Sequence, residues 1–298
     1  MKRKYKLAKT EYTKSMLPQT RKEVFFDVLQ LQWRSLLLLG LILLLFYLPL
    51  LLSTTVNDLY ISNLYASLEG ADDTAKMAAG QALVYLDIIR SVINILFIAV
   101  LAAGFSGICR VVRQYAWGEN VHIPTDFARG IRDNFSHTAA IGALAGLIHT
   151  LCLTVYYTAS SYSTSLLSAL SLLPIAISAL AVLPILALAI VMIPVYSNRL
   201  GATLKNAFAV YSRSLFKVLL SLGCCLLIWI PAMLPNFYCH IFGSIAAVLL
   251  TPYALLAWTL FCYDQFDKYI NPIVCPQLVG KGIVWDTEAS NQHQEVSL

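Results

Sequence analysis

Charge is what this sequence has least of. Only 12% of its 298 residues are charged and 58% are hydrophobic, whereas a soluble domain has about 25% and 45–50% of these classes. An ordinary soluble domain is excluded, because so few charged side chains cannot cover its surface. The apolar residues come in blocks close to the roughly 20 that cross a bilayer as a helix. The sequence therefore predicts an all-α integral membrane protein.

Catalytic motifs are a second absence. The chain has no HExxH, GxSxG or P-loop sequence, the signatures of zinc proteases, serine hydrolases and NTPases. The interiors of its long apolar runs also lack the charged residues that mark ion relays and coupled transport. We expect a protein that is not an enzyme, with no catalytic residues, no metal and no cofactor. The absence of charged residues inside the apolar runs also argues against a proton- or sodium-driven transporter.

Cysteine spacing and the distribution of charge exclude two further classes. None of the seven cysteines forms a CxxC pair, and most lie in or beside apolar runs, so packing is the expected role. The net charge of +5 suggests nucleic acid, but the cations flank apolar blocks instead of forming one basic domain. We expect membrane lipids as partners and no nucleic acid.

Six apolar runs divide the chain into three parts. Residues 1–34 form a basic N-terminus, 35–263 the transmembrane domain and 264–298 a polar tail. Residues 20–34 fit either an interfacial helix or a helical extension of the first span. The predicted spans are residues 35–52, 91–109, 138–158, 174–196, 215–234 and 241–263.

Two features of the runs refine this picture. Pro174, Pro184 and Pro194 predict that the fourth span is kinked. The polar, acidic loop at 53–87 contains a turn at residues 69–73, and helices are expected on either side of it.

The positions of lysine and arginine predict the orientation. Six spans place 19 of the 21 cations on one side and leave only Lys76 and Arg90 on the other. The positive-inside rule makes the first side cytoplasmic. We expect a multi-pass protein of a bacterial cytoplasmic membrane with both termini in the cytoplasm.

Two basic segments, residues 110–136 and 197–217, lie between spans on that side. In the first, Pro124 ends any preceding helix, and Phe127, Ile131 and Phe135 predict one stripe of an amphipathic helix. Each segment is expected to contribute such a helix. Their cations form a candidate face for a protein partner or anionic lipid: Arg110, Arg113, Arg129, Arg132, Arg199, Lys205 and Arg213.

The two segments also align at an offset of 81 residues, which indicates two parallel helix-hairpin repeats. The alignment pairs Tyr115 with Tyr196, Phe127 with Phe208, Arg132 with Arg213, Phe135 with Phe216 and Gly142 with Gly223.

Two polar residues stand out within the spans. Asn94 in the second and His149 in the third form a candidate polar intramembrane site. A neighbouring helix usually satisfies such residues, and a ligand or proton is the other possibility.

Three stretches resemble the YesL family of bacterial membrane proteins: WGENVHIPTDFARGIRDNF, LKNAFAVYSRSLFKVLL and FDKYINP. The resemblance runs from about residue 34 onward and excludes the N-terminus and the loop at 53–87. Genes of this family often lie beside carbohydrate uptake systems, and the family has no settled biochemical activity, so the resemblance implies no catalytic residues. The expected function is an accessory or regulatory component of carbohydrate uptake, with transporter subunits or another membrane protein as partners. The alternatives are a stand-alone small-molecule transporter and an ABC-type permease subunit.

Overall fold

The computed structural model describes residues 18–70, 72–160, 169–196, 198–234 and 236–283. Residues 1–17, 71, 161–168, 197, 235 and 284–298 lie outside the described residues. Six helices are long and apolar enough to cross a membrane, which confirms the predicted all-α membrane fold: α1 Arg21–Ser67, α2 Asp73–Ala116, α3 Ile123–Ser160, α4 Leu172–Met192, α5 Leu200–Met233 and α6 Phe237–Tyr269. A short helix, α7 (Asn271–Val274), follows.

Four of the predicted spans fall wholly within one helix, and the fifth runs one residue past α5, which ends at Met233. The fourth was expected to reach residue 196, but α4 ends at Met192 and residues 193–195 form a turn. Pro194 lies in that turn, where its ring and missing N–H oppose further helix. The α6 span is the most buried of the six and packs against α1, α2 and α5.

The predicted loop at 53–87 is almost entirely helical. Helix α1 continues to Ser67 and α2 begins at Asp73, so both helices extend well past the predicted spans. Gly70 adopts φ +84° in the turn, a conformation that glycine tolerates best. The Asp72 carboxylate accepts the Ala75 N–H at 2.9 Å and caps α2. The expected helices on either side of the turn are confirmed.

Breaks within α1 and α5 lie close to the predicted span boundaries. Gln32 (φ −120°, ψ 15°) separates residues 21–31 from the first span. The start of α1 is therefore a helical segment of its own and not a straight extension of the span. Ser214 (φ −135°, ψ 29°) breaks α5 immediately before residue 215, where the fifth span was predicted to begin.

The fourth span was predicted to be kinked at its prolines. In the structure its helix is interrupted by a π-helical turn at Ser178–Val182. Pro184 has no N–H to offer the Leu180 carbonyl four residues earlier. The Tyr211 hydroxyl of α5 donates to that carbonyl instead. Buried polar backbone in lipid needs such a substitute partner, so the hydrogen bond joins α4 to α5 at the kink.

Small residues set the distance between α2 and α3. A Cβ added to Gly142 would lie 2.6 Å from the Ala102 Cβ, and one added to Gly107 would meet the Phe127 ring. Phe127 is thus buried against α2, whereas Phe135 is 53% exposed. Eight residues at 100° each rotate Phe135 about 80° away from Phe127, so the predicted stripe is buried at Phe127 and exposed at Phe135.

Candidate functional site

The end of the bundle that carries both basic segments is called the basic face below. Four parts of the chain meet there. They are the start of α1, the α2–α3 turn, the α4–α5 turn and residues 270–283, which we call the C-terminal strap. Hydrogen bonds and ion pairs link the strap to the other three parts.

Trp117, at the end of α2, is the aromatic centre of this assembly. The Arg113 guanidinium carbon lies 4.6 Å from its ring centroid and the Lys281 ammonium nitrogen 3.7 Å from it, distances typical of cation–π contacts. Glu119 pairs with Lys281 at 3.4 Å and approaches Arg113 at 3.8 Å. Gly282 lies beside them with φ +88°. A side chain cannot replace it there, because an added Cβ would collide with the Ala116 carbonyl.

Arg21 connects the first helix to the strap. Its guanidinium pairs with Asp267 at 2.7 Å, donates to the Lys281 carbonyl at 2.7 Å and lies 5.6 Å from the Tyr263 ring centroid. Both partners of the ion pair are largely buried. The sequence offered no signal for this contact, because its partners lie 246 residues apart.

Tyr196 connects the α4–α5 turn to the same strap. Its hydroxyl donates to the Asn271 Oδ1 at 2.5 Å, and the Asn271 amide donates to Asp267 at 2.7 Å. Burial raises the pKa of the Tyr196 phenol, and the nearby Asp267 charge raises it further. The hydroxyl therefore stays protonated and remains a donor.

The seven predicted basic residues fall into two groups. Arg110 and Arg113 are half-buried and bind within the protein, Arg110 to Asp133 at 2.9 Å and Arg113 to the Pro194 carbonyl at 2.6 Å. The other five are exposed: Arg129, Arg132, Arg199, Lys205 and Arg213.

Three of the exposed cations precede an exposed phenylalanine by three residues. Arg132 precedes Phe135, Lys205 precedes Phe208 and Arg213 precedes Phe216, and these rings are 53%, 57% and 84% exposed. Residues three apart share one side of a helix. Two of the pairs lie on uninterrupted helix, while the Ser214 break falls inside the third. Sequence reasoning had treated the cations and the rings separately and missed the pairing.

The predicted intramembrane pair is not brought together. Asn94 is 8% exposed and accepts a hydrogen bond from the Ser53 hydroxyl of α1 at 2.8 Å. His149 instead lines a cavity of about 390 Å³ between α3 and α4, with Cys152 and Ser178 beside it. Asn94 does not line that cavity, so these two residues do not form one site.

The cysteines and other metal-binding residue types give no cluster in the described ranges. All seven cysteines are free thiols. Within residues 18–70, 72–160, 169–196, 198–234 and 236–283, no three His, Cys, Asp or Glu side chains are grouped to hold a metal ion.

No family model, no curated protein and no solved structure matches this chain.

Proposed function

We propose that this chain is a non-enzymatic accessory or regulatory component of carbohydrate uptake in a bacterial cytoplasmic membrane. The basic face would lie in the cytoplasm, as the distribution of lysine and arginine favours. The resemblance to the YesL family supports the link to carbohydrate uptake. The partner would be a subunit of a transporter in the same membrane.

One observation carries this proposal: the three exposed cation–phenylalanine pairs on the two basic segments. Arginine and aromatic residues are enriched in protein interfaces, where they supply most of the binding energy. The face beneath them is fixed by the bonds of Arg21, Tyr196 and Lys281 to distant parts of the chain. A fixed surface loses little conformational freedom on binding a partner.

Site-specific photocrosslinking tests the proposal. A photoreactive phenylalanine would replace Phe135, Phe208 or Phe216 in cells growing on a polysaccharide. Phe242 is the matched control, since it is a 67% exposed phenylalanine on α6 that lies outside the basic segments. We expect adducts with a transporter subunit from the three test positions and not from the control. Adducts with lipid alone, or equal protein adducts at Phe242, would contradict the proposal.

A stand-alone small-molecule transporter is the second candidate. The observation in its favour is the cavity that places His149 against the π-helical turn of α4, since π-turns occur often at functional sites. Its test is uptake of labelled sugars into proteoliposomes that contain only this chain. Uptake that His149→Phe abolishes would favour the transporter over the accessory role.

A further inference from the structure

A cavity of about 510 Å³ opens at the basic face between the two basic segments. It is bounded on one side by the ends of α2 and α3 and on the other by the α4–α5 turn. Three arginines line it, Arg110, Arg113 and Arg199, and its other polar residues include Asp133, Asn134 and His137.

The lining has an excess of positive charge. Asp133 pairs with Arg110 at 2.9 Å, and it is the single acidic residue among the lining residues. Arg113 donates to the Pro194 carbonyl, which carries no formal charge. The Arg199 guanidinium makes no hydrogen bond or ion pair within the described part of the chain. Arg113 also lies 3.8 Å from Glu119, which is outside the lining. The lining itself therefore holds three guanidinium groups and one carboxylate.

Two of the lining arginines also have hydrogen-bond donors left over. The Nε atoms of both Arg110 and Arg113 are buried and have no partner among the described residues. Burying an unpaired donor of a charged group is costly, so neither guanidinium is fully satisfied within the described part of the protein. Arginine matches phosphate oxygens particularly well, because its planar fork can donate two parallel hydrogen bonds.

We propose that this cavity binds a phosphate-bearing anion, held by Arg110, Arg113 and Arg199. The volume falls within the usual range for small-ligand sites, about 300–1,000 Å³, so the phosphate can carry a polar group of several atoms. The same chemistry fits a soluble phosphate monoester and the headgroup of an anionic phospholipid. The site does not depend on the accessory role proposed above.

Binding to the full chain in nanodiscs would test the site and distinguish the two sources. In phosphatidylcholine discs, calorimetry would measure the affinity for glycerol 3-phosphate, with sodium chloride at the same ionic strength as the blank. In a second arm, native mass spectrometry would measure retention of phosphatidylglycerol against phosphatidylcholine. Saturable binding of glycerol 3-phosphate would identify a soluble ligand. Selective retention of phosphatidylglycerol alone would identify a lipid headgroup.

Three variants connect the binding to the cavity. Arg199→Gln removes an exposed cation that supports no internal contact, and we expect about tenfold weaker binding from the loss of one charge-assisted hydrogen bond. Asp133→Asn removes the carboxylate that competes for Arg110, so binding should become several-fold tighter. Arg129→Gln is the matched control. It is an exposed arginine on the same helix as Asp133 but outside the cavity lining, and its affinity should stay within about twofold of wild type.

Thermal unfolding of each variant would establish that it is folded before its affinity is compared. The proposal fails if neither probe binds. It also fails if Arg129→Gln weakens binding as much as Arg199→Gln, since that result describes a diffuse basic surface. Unchanged or weaker binding by folded Asp133→Asn would equally overturn it.

Discussion

The two helix pairs that bear the basic segments share a layout but not a mode of packing. In each pair a span reaches the basic face, turns, and is followed by a helix that returns across the membrane. Gly107, Gly130, Gly142 and Gly146 bring α2 and α3 into close backbone contact. The two glycines of α5, Gly201 and Gly223, have no neighbouring atoms within 4 Å of an added Cβ.

The difference shows that sequence alignment and packing carry separate information. Gly142 and Gly223 align at the 81-residue offset, yet one lies in a tight helix contact and the other in open space. The α5 span is also the least buried of the six. Lipid gives helices no hydrophobic incentive to associate, so close packing of small residues is a main source of their stability. Helices α2 and α3 have that source, whereas α4 and α5 pack less extensively and are also joined by the Tyr211 hydrogen bond at the π-turn.

The largest expected effect comes from adding a methyl group to each aligned glycine. Gly142→Ala should lower the free energy of unfolding by about 2 kcal/mol, because the new Cβ meets Ala102 and the backbone of Ile98 and Ala99. Gly223→Ala should instead raise it by up to about 1 kcal/mol through helix propensity. Reversible unfolding in mixed micelles, titrated with dodecyl sulfate, measures both. A loss of equal size at the two positions would remove the contrast between the helix pairs.

A smaller effect is expected at the α4 kink. Tyr211→Phe should cost about 1 kcal/mol, because the Leu180 carbonyl loses its substitute donor. In a Pro184→Ala background the helix regains a backbone N–H near that carbonyl, so the same substitution should cost less than half as much. A double-mutant cycle of unfolding free energies gives this coupling. Tyr238→Phe, at an exposed tyrosine of α6, serves as the control. Full additivity of the two changes would contradict the account of the kink.

The smallest effect is expected for a hydrogen bond within the tight pair. Thr150 donates to the Ser91 carbonyl of α2 at 3.1 Å and to the Gly146 carbonyl of its own helix at 3.0 Å. Thr150→Val keeps the shape of the side chain, and the glycine contacts remain in place. We expect a loss of about 0.5 kcal/mol in the same unfolding assay. A loss above about 1.5 kcal/mol would mean that hydrogen bonding, and not close packing, holds α2 to α3.

Features that depend on neighbouring residues in the sequence were predictable. The number of spans followed from apolar runs, the irregular fourth span from its prolines, and the start of the fifth span from the change in polarity beside Ser214. The form of the irregularity was not predictable, because a π-turn depends on how Tyr211 of the next helix meets Leu180.

The basic face was only half predictable. Its cations could be identified from the sequence, but their division into bonded and exposed groups could not. Arg113 is bonded because Pro194 lies opposite it, 81 residues away. Arg21, which no pattern singled out, is bonded across the fold to Asp267. Such contacts join segments that are distant in the sequence, and neither segment has a residue pattern that predicts the contact.

The long hairpin formed by α1 and α2 has a consequence for the reach of the molecule. From the break at Gln32 to Ser67, α1 runs for 35 residues, or about 50 Å at 1.5 Å per residue. A hydrocarbon layer is only about 30 Å thick. About 20 Å of helix therefore extends beyond the hydrocarbon layer, through the headgroup region and toward the water. Gly70 lies in the turn between the two helices, so the hairpin carries this turn well beyond the membrane core.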